Sequence, residues 1–163
     1  MNTAPLELYT DRVRPEWIDA NGHMNVAYYM LAFDGATDAF LDYLGLGTQY
    51  TEATGGSTFT AEAHISYLRE VLEGNPLRFT TQLLAYDAKR FHYVHCMYQA
   101  DDAYLAATCE FMVLSVDLKE RRVAPLPASA LTRLDDVLRA HAGLPTPQQV
   151  GHVIGIRRSR DEK

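Results

Sequence analysis

The hydrophobic positions between residues 26 and 44 repeat at steps of three and four, which is the period of an α-helix. The repeating positions are Val26, Met30, Phe33, Thr37, Phe40, Leu41 and Leu44. They predict one long helix whose apolar stripe is buried along its length. Asn25, a favoured N-cap residue, stands directly before the stripe, and Gly45 and Gly47 follow its end.

Stretches of alternating and β-rich residues predict strands on both sides of this helix. A short strand over residues 6–14 ends at Pro15, and a loop is expected at residues 48–56. Further strands are predicted over residues 57–71, 77–88, 90–100 and 103–117, with hairpin turns between the last three. In the first of these, alternation places Phe59, Ala61, Ala63, Ile65 and Tyr67 on one face.

The order of these elements predicts an α+β domain, because one helix this apolar has to be wrapped by the sheet. A second, surface helix is predicted over residues 127–142, with Leu131, Leu134, Val137 and Leu138 on one side. We therefore expect a single domain over residues 1–142. Residues 143–163 form a tail that is expected to be mobile or to lie on a neighbouring subunit.

Composition narrows the function classes. The chain has 163 residues and a formal net charge of −6, so no nucleic-acid partner is expected. It contains no apolar run long enough to span a membrane, and its first residues do not resemble a secretory signal. With only two cysteines, Cys96 and Cys109, a cytoplasmic location with reduced thiols is expected.

The candidate chemistry is concentrated just before the long helix. Asp19, Gly22, His23 and Asn25 fall within seven positions. A carboxylate would thereby lie beside the positive end of a helix, where free amide groups can polarise a carbonyl oxygen. Asp19 could attack such a carbonyl or activate a water, His23 could position either group, and Gly22 suits the turn. The alternative interpretations are that Asp19 and Asn25 only cap the turn and the helix.

This segment resembles the signature of the hot-dog fold acyl-CoA thioesterases of the 4-hydroxybenzoyl-CoA thioesterase-like group. The signature is met by Asp19, Gly22-His23, Met24-Asn25, Tyr29, Phe33 and Ala36, whereas Val26 stands where the group usually has a polar residue. The resemblance implies a curved antiparallel sheet around one central helix. It also implies a thioesterase that acts on small or medium acyl-CoA esters as a homodimer or homotetramer. Its catalytic residues would be Asp19, His23 and Asn25, with no cofactor besides the CoA of the substrate.

Two later segments, residues 62–70 and 87–92, resemble a narrower subgroup linked to carnitine degradation and betainyl-CoA hydrolysis. The substrate-binding residues expected with the signature are Trp17, Gly22, Val26, Tyr29, Glu62, His64 and Arg90. Trp17 and the tyrosines could surround a quaternary ammonium, although aromatic side chains more often belong to a core. Arg90, with Arg69, Lys89 and the C-terminal arginines, could meet the CoA phosphates.

Other functions remain open at this point. A hot-dog hydratase would need one more residue between the acid and the histidine than Asp19 and His23 provide. A non-catalytic acyl-CoA binding module would have a similar pocket. Asp34, inside the helix, is a minor competitor for the catalytic acid. A metal site is not expected, because His92 and His95 are an odd number of residues apart on one strand and therefore point to opposite faces.

Overall fold

The computed structural model describes residues 4–156, which form one curved antiparallel sheet packed on a long helix. The strands are β1 (Leu6–Arg12), β2 (Gly56–Tyr67), β3 (Pro76–Tyr86), β4 (Arg90–Gln99), β5 (Tyr104–Asp117) and β6 (Arg122–Val123). The helices are α1 (Val26–Leu44), α2 (Thr48–Thr54) and α3 (Ala128–His141), with a 3₁₀ turn at Pro15–Trp17. The strand order is β1-β3-β4-β5-β2, and β6 pairs with β5. This arrangement confirms the predicted hot-dog fold.

Helix α1 begins and ends where the sequence predicts, because both caps are present. The Asn25 side chain accepts a hydrogen bond from the Ala27 amide, and Gly45 closes the helix with a φ of 74°. A φ of this sign is costly for any residue with a side chain, which is why glycine stands there. The residues that α1 buries are Tyr29, Ala32, Phe33, Ala36, Thr37, Phe40 and Leu44.

Three sequence predictions about the elements were wrong. Val26 and Met30, which the pattern assigned to the buried stripe, are 57% and 37% exposed, and Val26 lines an open groove at the start of α1. The predicted loop at residues 48–56 contains α2. Phe59 does not share a face of β2 with Ala63, Ile65 and Tyr67, because an irregularity between Thr60 and Glu62 shifts the register by one residue, so that Phe59 pairs with Leu114 and Tyr67 with Ala107.

The C-terminal segment follows α3, and the structure describes it as far as residue 156. Gly151 and His152 contact the sheet of the same chain, whereas Val153, Ile154 and Ile156 are more than 80% exposed. The Gly151 amide donates to Glu110 at 2.7 Å, and the His152 ring stacks on the His64 ring at 6.1 Å. Both partners lie on the face of the sheet that points away from α1, since the neighbours of Glu110 in β5, Cys109 and Phe111, pack in the core.

Candidate active site

A tight turn carries the predicted catalytic residues to the start of α1. Ile18 and Met24 form a short bridge, and the Asp19 amide donates to the His23 carbonyl at 3.1 Å. The Gly22 amide donates back to the Asp19 carbonyl at 3.0 Å, and Gly22 adopts a φ of 83°. The turn therefore requires glycine at position 22 for its backbone conformation.

The backbone at the start of α1 leaves one amide group available. The Asn25 amide donates to the Trp17 carbonyl at 2.9 Å, and the Ala27 amide donates to the Asn25 side chain at 3.0 Å. The Val26 amide donates to no acceptor in the described part of the chain. Free amides in the first turn carry the positive end of the helix dipole, so the Val26 amide is the group suited to an oxyanion.

An open groove of about 230 Å³ lies at this end of α1. Its walls come from the turn and first helical residues on one side and from the segment that follows β2 on the other. The lining residues are His23, Met24, Val26, Tyr29, Tyr67, Leu68, Arg69 and Glu70. The fold thus brings together the predicted residues His23, Val26 and Tyr29 with four residues from a distant part of the sequence.

The orientation of His23 follows from its hydrogen bond. Its Nδ1 lies 3.2 Å from the Met24 carbonyl oxygen, which can only accept, so Nδ1 carries the proton in this contact. In the neutral ring Nε2 then keeps a free lone pair. His23 lines the groove, so that lone pair is available to a water or a substrate group.

Tyr67 joins the two walls of the groove. Its hydroxyl donates to the Val26 carbonyl at 3.2 Å, and its ring meets the Tyr29 ring edge-to-face at 5.1 Å. Tyr29 is buried, whereas half of the Tyr67 surface is exposed. Burial raises the pKa of both hydroxyl groups, so both tyrosines are neutral hydrogen-bonding groups at physiological pH.

Asp19 is half-buried in the turn beside the groove rather than among its lining residues. Its Oδ1 accepts the Asn21 amide at 2.8 Å, which is the capping contact considered as its alternative role. The second carboxylate oxygen has no partner in the described residues. Trp17, a predicted substrate-binding residue, is 2% exposed and stacks on Tyr28 at 5.6 Å, so its ring belongs to the core.

Glu62 and His64 lie elsewhere, on the outer face of the sheet. They line a second cavity of about 370 Å³ together with His92, Glu110 and His152. Glu110 accepts from His92 Nε2 at 2.7 Å and from the tail amide described above. Glu110 and His152 could not be recognised as neighbours from the sequence, because nothing local in it shows that the tail returns to this face.

Arg90 lies at the opposite end of the sheet from the groove. Arg90 pairs with Leu114 of β5, and Leu114 pairs with Phe59 of β2. Phe59 is eight residues before Tyr67, so Arg90 and Tyr67 are separated by roughly 26 Å along the strand direction. Its guanidinium donates twice to Asp87, at 2.8 and 2.6 Å. This contact raises the pKa of Arg90 and lowers the pKa of Asp87. The remaining predicted phosphate contacts at Arg157, Arg158 and Arg160 lie outside the described residues.

A buried polar cluster beneath α1 is a second feature that the sequence did not reveal. His95 is fully buried, and its two ring nitrogens lie 2.9 Å from Thr81 Oγ1 and 3.2 Å from Thr37 Oγ1. Tyr93 also meets Thr37, at 3.1 Å. Burial lowers the pKa of His95 to about 3, so the ring is neutral. His92, by contrast, points to the outer face, as the strand period predicts.

The described part of the chain contains no group of three side chains arranged to hold a metal ion. Nor does any helix within residues 4–156 reach the length and apolarity needed to cross a membrane.

The fold and the groove together define a hot-dog thioester hydrolase, and sequence comparison shows the family. A family model described as the thioesterase-like superfamily matches residues 13–139, so the chain belongs to that family. A betainyl-CoA thioesterase of Pseudomonas aeruginosa is 42% identical over 151 residues, which cover 93% of this chain and 95% of that protein. The predicted acyl-CoA thioesterase resemblance is thereby confirmed.

Two further relatives extend this comparison. An L-carnitine dehydrogenase/betainyl-CoA thioesterase of Rhizobium meliloti is 36% identical, and the match covers 96% of this chain but 31% of that longer protein. A Staphylococcus aureus protein solved in complex with CoA superposes with a TM-score of 0.88 at 30% identity, covering 94% of this chain and 98% of that one. The chain is therefore similar both to a free-standing thioesterase and to one part of a fused enzyme.

Proposed function

We propose that this protein hydrolyses a short acyl-CoA thioester in the groove at the start of α1, with betainyl-CoA as the preferred substrate. The observation that carries the proposal is the free Val26 amide, which shares one groove with the His23 side chain. The 42% identity to a betainyl-CoA thioesterase over almost the whole of both chains supports the choice of acyl group.

In the proposed mechanism, the thioester carbonyl oxygen accepts a hydrogen bond from the Val26 amide. Such a donor stabilises the negative charge that develops on that oxygen when a nucleophile adds to the carbonyl carbon. Asp19 acts either as that nucleophile, forming an anhydride that water then opens, or as the base that takes a proton from the attacking water. In both routes the C–S bond breaks, and CoA leaves as a thiol after taking up a proton.

Asn25 and His23 have supporting roles in this proposal. Asn25 holds the first turn of α1 through its contact with the Ala27 amide, which fixes the direction of the Val26 amide. His23 accepts a hydrogen bond from the water or from the substrate at Nε2. The mechanism uses no metal ion, so we expect turnover to be unaffected by a chelator.

The first test is the substitution Asp19→Asn. We expect kcat for betainyl-CoA to fall at least ~100-fold while the Kd for the ester changes little, since the loss of a catalytic base or nucleophile costs about this much. Asp34→Asn is the matched control, because Asp34 is exposed on α1 and is the competing acid. A wild-type protein that binds betainyl-CoA without hydrolysing it would instead support the binding-module alternative. A large loss of kcat with Asp34→Asn alone would assign the catalytic carboxylate to Asp34 in α1.

The two roles of Asp19 differ in where solvent oxygen goes. Turnover in ¹⁸O-labelled water places label in the Asp19 carboxylate only if that group forms an anhydride that water attacks at the aspartyl carbon. Mass spectrometry of the peptide that contains Asp19 after many turnovers measures this. Label in the released acid alone excludes attack at the aspartyl carbon and is expected both for the general-base role and for an anhydride that water opens at the acyl carbon.

We further propose that the working unit is a homodimer formed through β2, or a homotetramer of such dimers. Strand β2 is a free edge of the sheet, and its Phe59 side chain, at the end far from the groove, is about half exposed. A long, apolar, unpaired edge is usually covered by another strand. Light scattering should give a mass of two or four times 18.3 kDa, and a purely monomeric mass would contradict the proposal.

A further inference from the structure

The shape of a betainyl group restricts where its charge can lie. The quaternary nitrogen is two bonds from the thioester carbonyl carbon, which is ~2.5 Å. If the carbonyl oxygen is held at the Val26 amide, the trimethylammonium group has to lie in the same groove, within a few ångströms of the first turn of α1. The residues that line this groove therefore determine whether a cation is accepted.

The Tyr67 ring lines the groove in a fixed position that suits contact with a cation. Tyr67 is fixed at its hydroxyl by the Val26 carbonyl and at its ring by the buried Tyr29. About half of its surface nevertheless remains exposed. A rigid, exposed tyrosine ring is a good surface for a quaternary ammonium, because the negative face of the ring attracts the cation and no hydrogen bond is needed.

One acidic side chain, Glu70, brings a negative charge to the lining of the groove, which also includes the basic Arg69. Glu70 supplies the only carboxylate among the lining residues. Its negative charge is a minor cause of the raised pKa of Tyr29, after burial, and the Tyr29 ring contacts the Tyr67 ring. The positive charge of the neighbouring Arg69 is directed to a different ring, because its guanidinium lies 3.9 Å above Tyr104.

We propose that Tyr67 and Glu70 determine the specificity for a cationic acyl group, with the Tyr67 ring and the Glu70 carboxylate holding the trimethylammonium head. This inference rests on the proposed function. It assigns to these two residues a role in binding the acyl head rather than in the cleavage of the C–S bond. The charge of the head does not change during the reaction, so these contacts stabilise bound substrate and transition state alike, and their loss should appear mainly in KM.

The test compares two substrates of equal shape. 3,3-Dimethylbutanoyl-CoA replaces the quaternary nitrogen of betainyl-CoA by carbon and so removes only the charge. For each variant, kcat/KM is divided by the wild-type value for the same substrate, which cancels the different intrinsic reactivity of the two esters. We expect Glu70→Gln to lower the ratio for betainyl-CoA about twofold to fivefold more than the ratio for the isostere, which is the range of an exposed charge pair.

Tyr67 allows the ring to be separated from its hydroxyl. Tyr67→Leu removes the ring and should lower the betainyl-CoA ratio about fivefold to thirtyfold more than the isostere ratio, which is the range of a cation–π contact. Tyr67→Phe keeps the ring and should largely preserve the preference for the cation. Glu73→Gln, a nearby exposed acid outside the groove, is the matched control for Glu70.

The outcomes distinguish this inference from the proposed function. If wild-type protein hydrolyses both esters but Glu70→Gln and Tyr67→Leu change both ratios equally, the specificity assignment is overturned while the hydrolase stands. The same holds if Glu73→Gln has the larger effect. If wild-type protein hydrolyses neither ester, the proposed function itself fails. Circular dichroism and the melting temperature of each variant identify a loss that comes from unfolding.

Discussion

The buried histidine beneath α1 leads to a quantitative prediction about stability in acid. His95 has no exposed surface, and burial lowers its pKa from 6.5 to about 3. Below pH 6.5 the unfolded chain takes up a proton on this ring while the folded protein keeps it neutral. The stability that His95 contributes is therefore present above pH 6.5 and is lost as the pH falls towards 3.

The size of the effect follows from the shift. Each pH unit between the two pKa values costs about 1.4 kcal/mol, so lowering the pH from 7 to 5 should remove about 2 kcal/mol of unfolding free energy through His95 alone. Carboxylates also titrate in this range, and the pKa of His141 is lowered by its burial as well. A comparison with a variant that lacks only the His95 ring isolates the one contribution.

Urea unfolding of wild-type protein and His95→Gln at pH 7 and pH 5 provides the measurement. Trp17 is the single tryptophan and is buried, so its fluorescence reports unfolding. Protein concentration has to be the same throughout, because an oligomer gains stability with concentration. We expect the wild type to lose about 2 kcal/mol more than the variant over this interval. Equal losses would refute the reasoning, as would an NMR titration in which the His95 ring of the folded wild type takes up a proton near pH 6.

Two further predictions concern packing and the tail. A Cβ added at Gly35 would lie 2.6 Å from the Tyr9 hydroxyl, so Gly35→Ala should destabilise the protein by about 1–3 kcal/mol despite the better helix propensity of alanine. In a Tyr9→Ala background, which removes the clash, the same substitution should stabilise the protein. Thermal unfolding measures both effects, and a single variant more stable than the wild type would contradict the prediction. Because Glu110 accepts the Gly151 amide, Glu110→Ala, which removes the acceptor, should speed hydrogen exchange in residues 143–156 about tenfold. Unchanged exchange by mass spectrometry would show that the tail is held by other contacts.

Local features of the sequence were sufficient for most of the architecture. The helical stripe, the Asn25 cap and the Gly45 terminator predicted α1 to within a residue, because caps and periodicity act within a few positions. The strand period correctly placed His92 and His95 on opposite faces. The spacing of Asp19, Gly22 and His23 also identified the turn at the start of α1, since the conformation of such a turn depends mainly on its own residues.

Only the tertiary structure decided which of these groups meet. Tyr67 and Glu70 reach the groove because β2 ends beside α1, and the pairing of His95 with Thr37 joins residues 58 positions apart. Strand β2 has an ordinary alternating sequence, yet it is exposed because it lies at the edge of the sheet. Hydrophobic periodicity indicates which face of a helix or strand is apolar. Which other elements pack against that face depends on the packing of the whole chain, and no local sequence pattern specifies it.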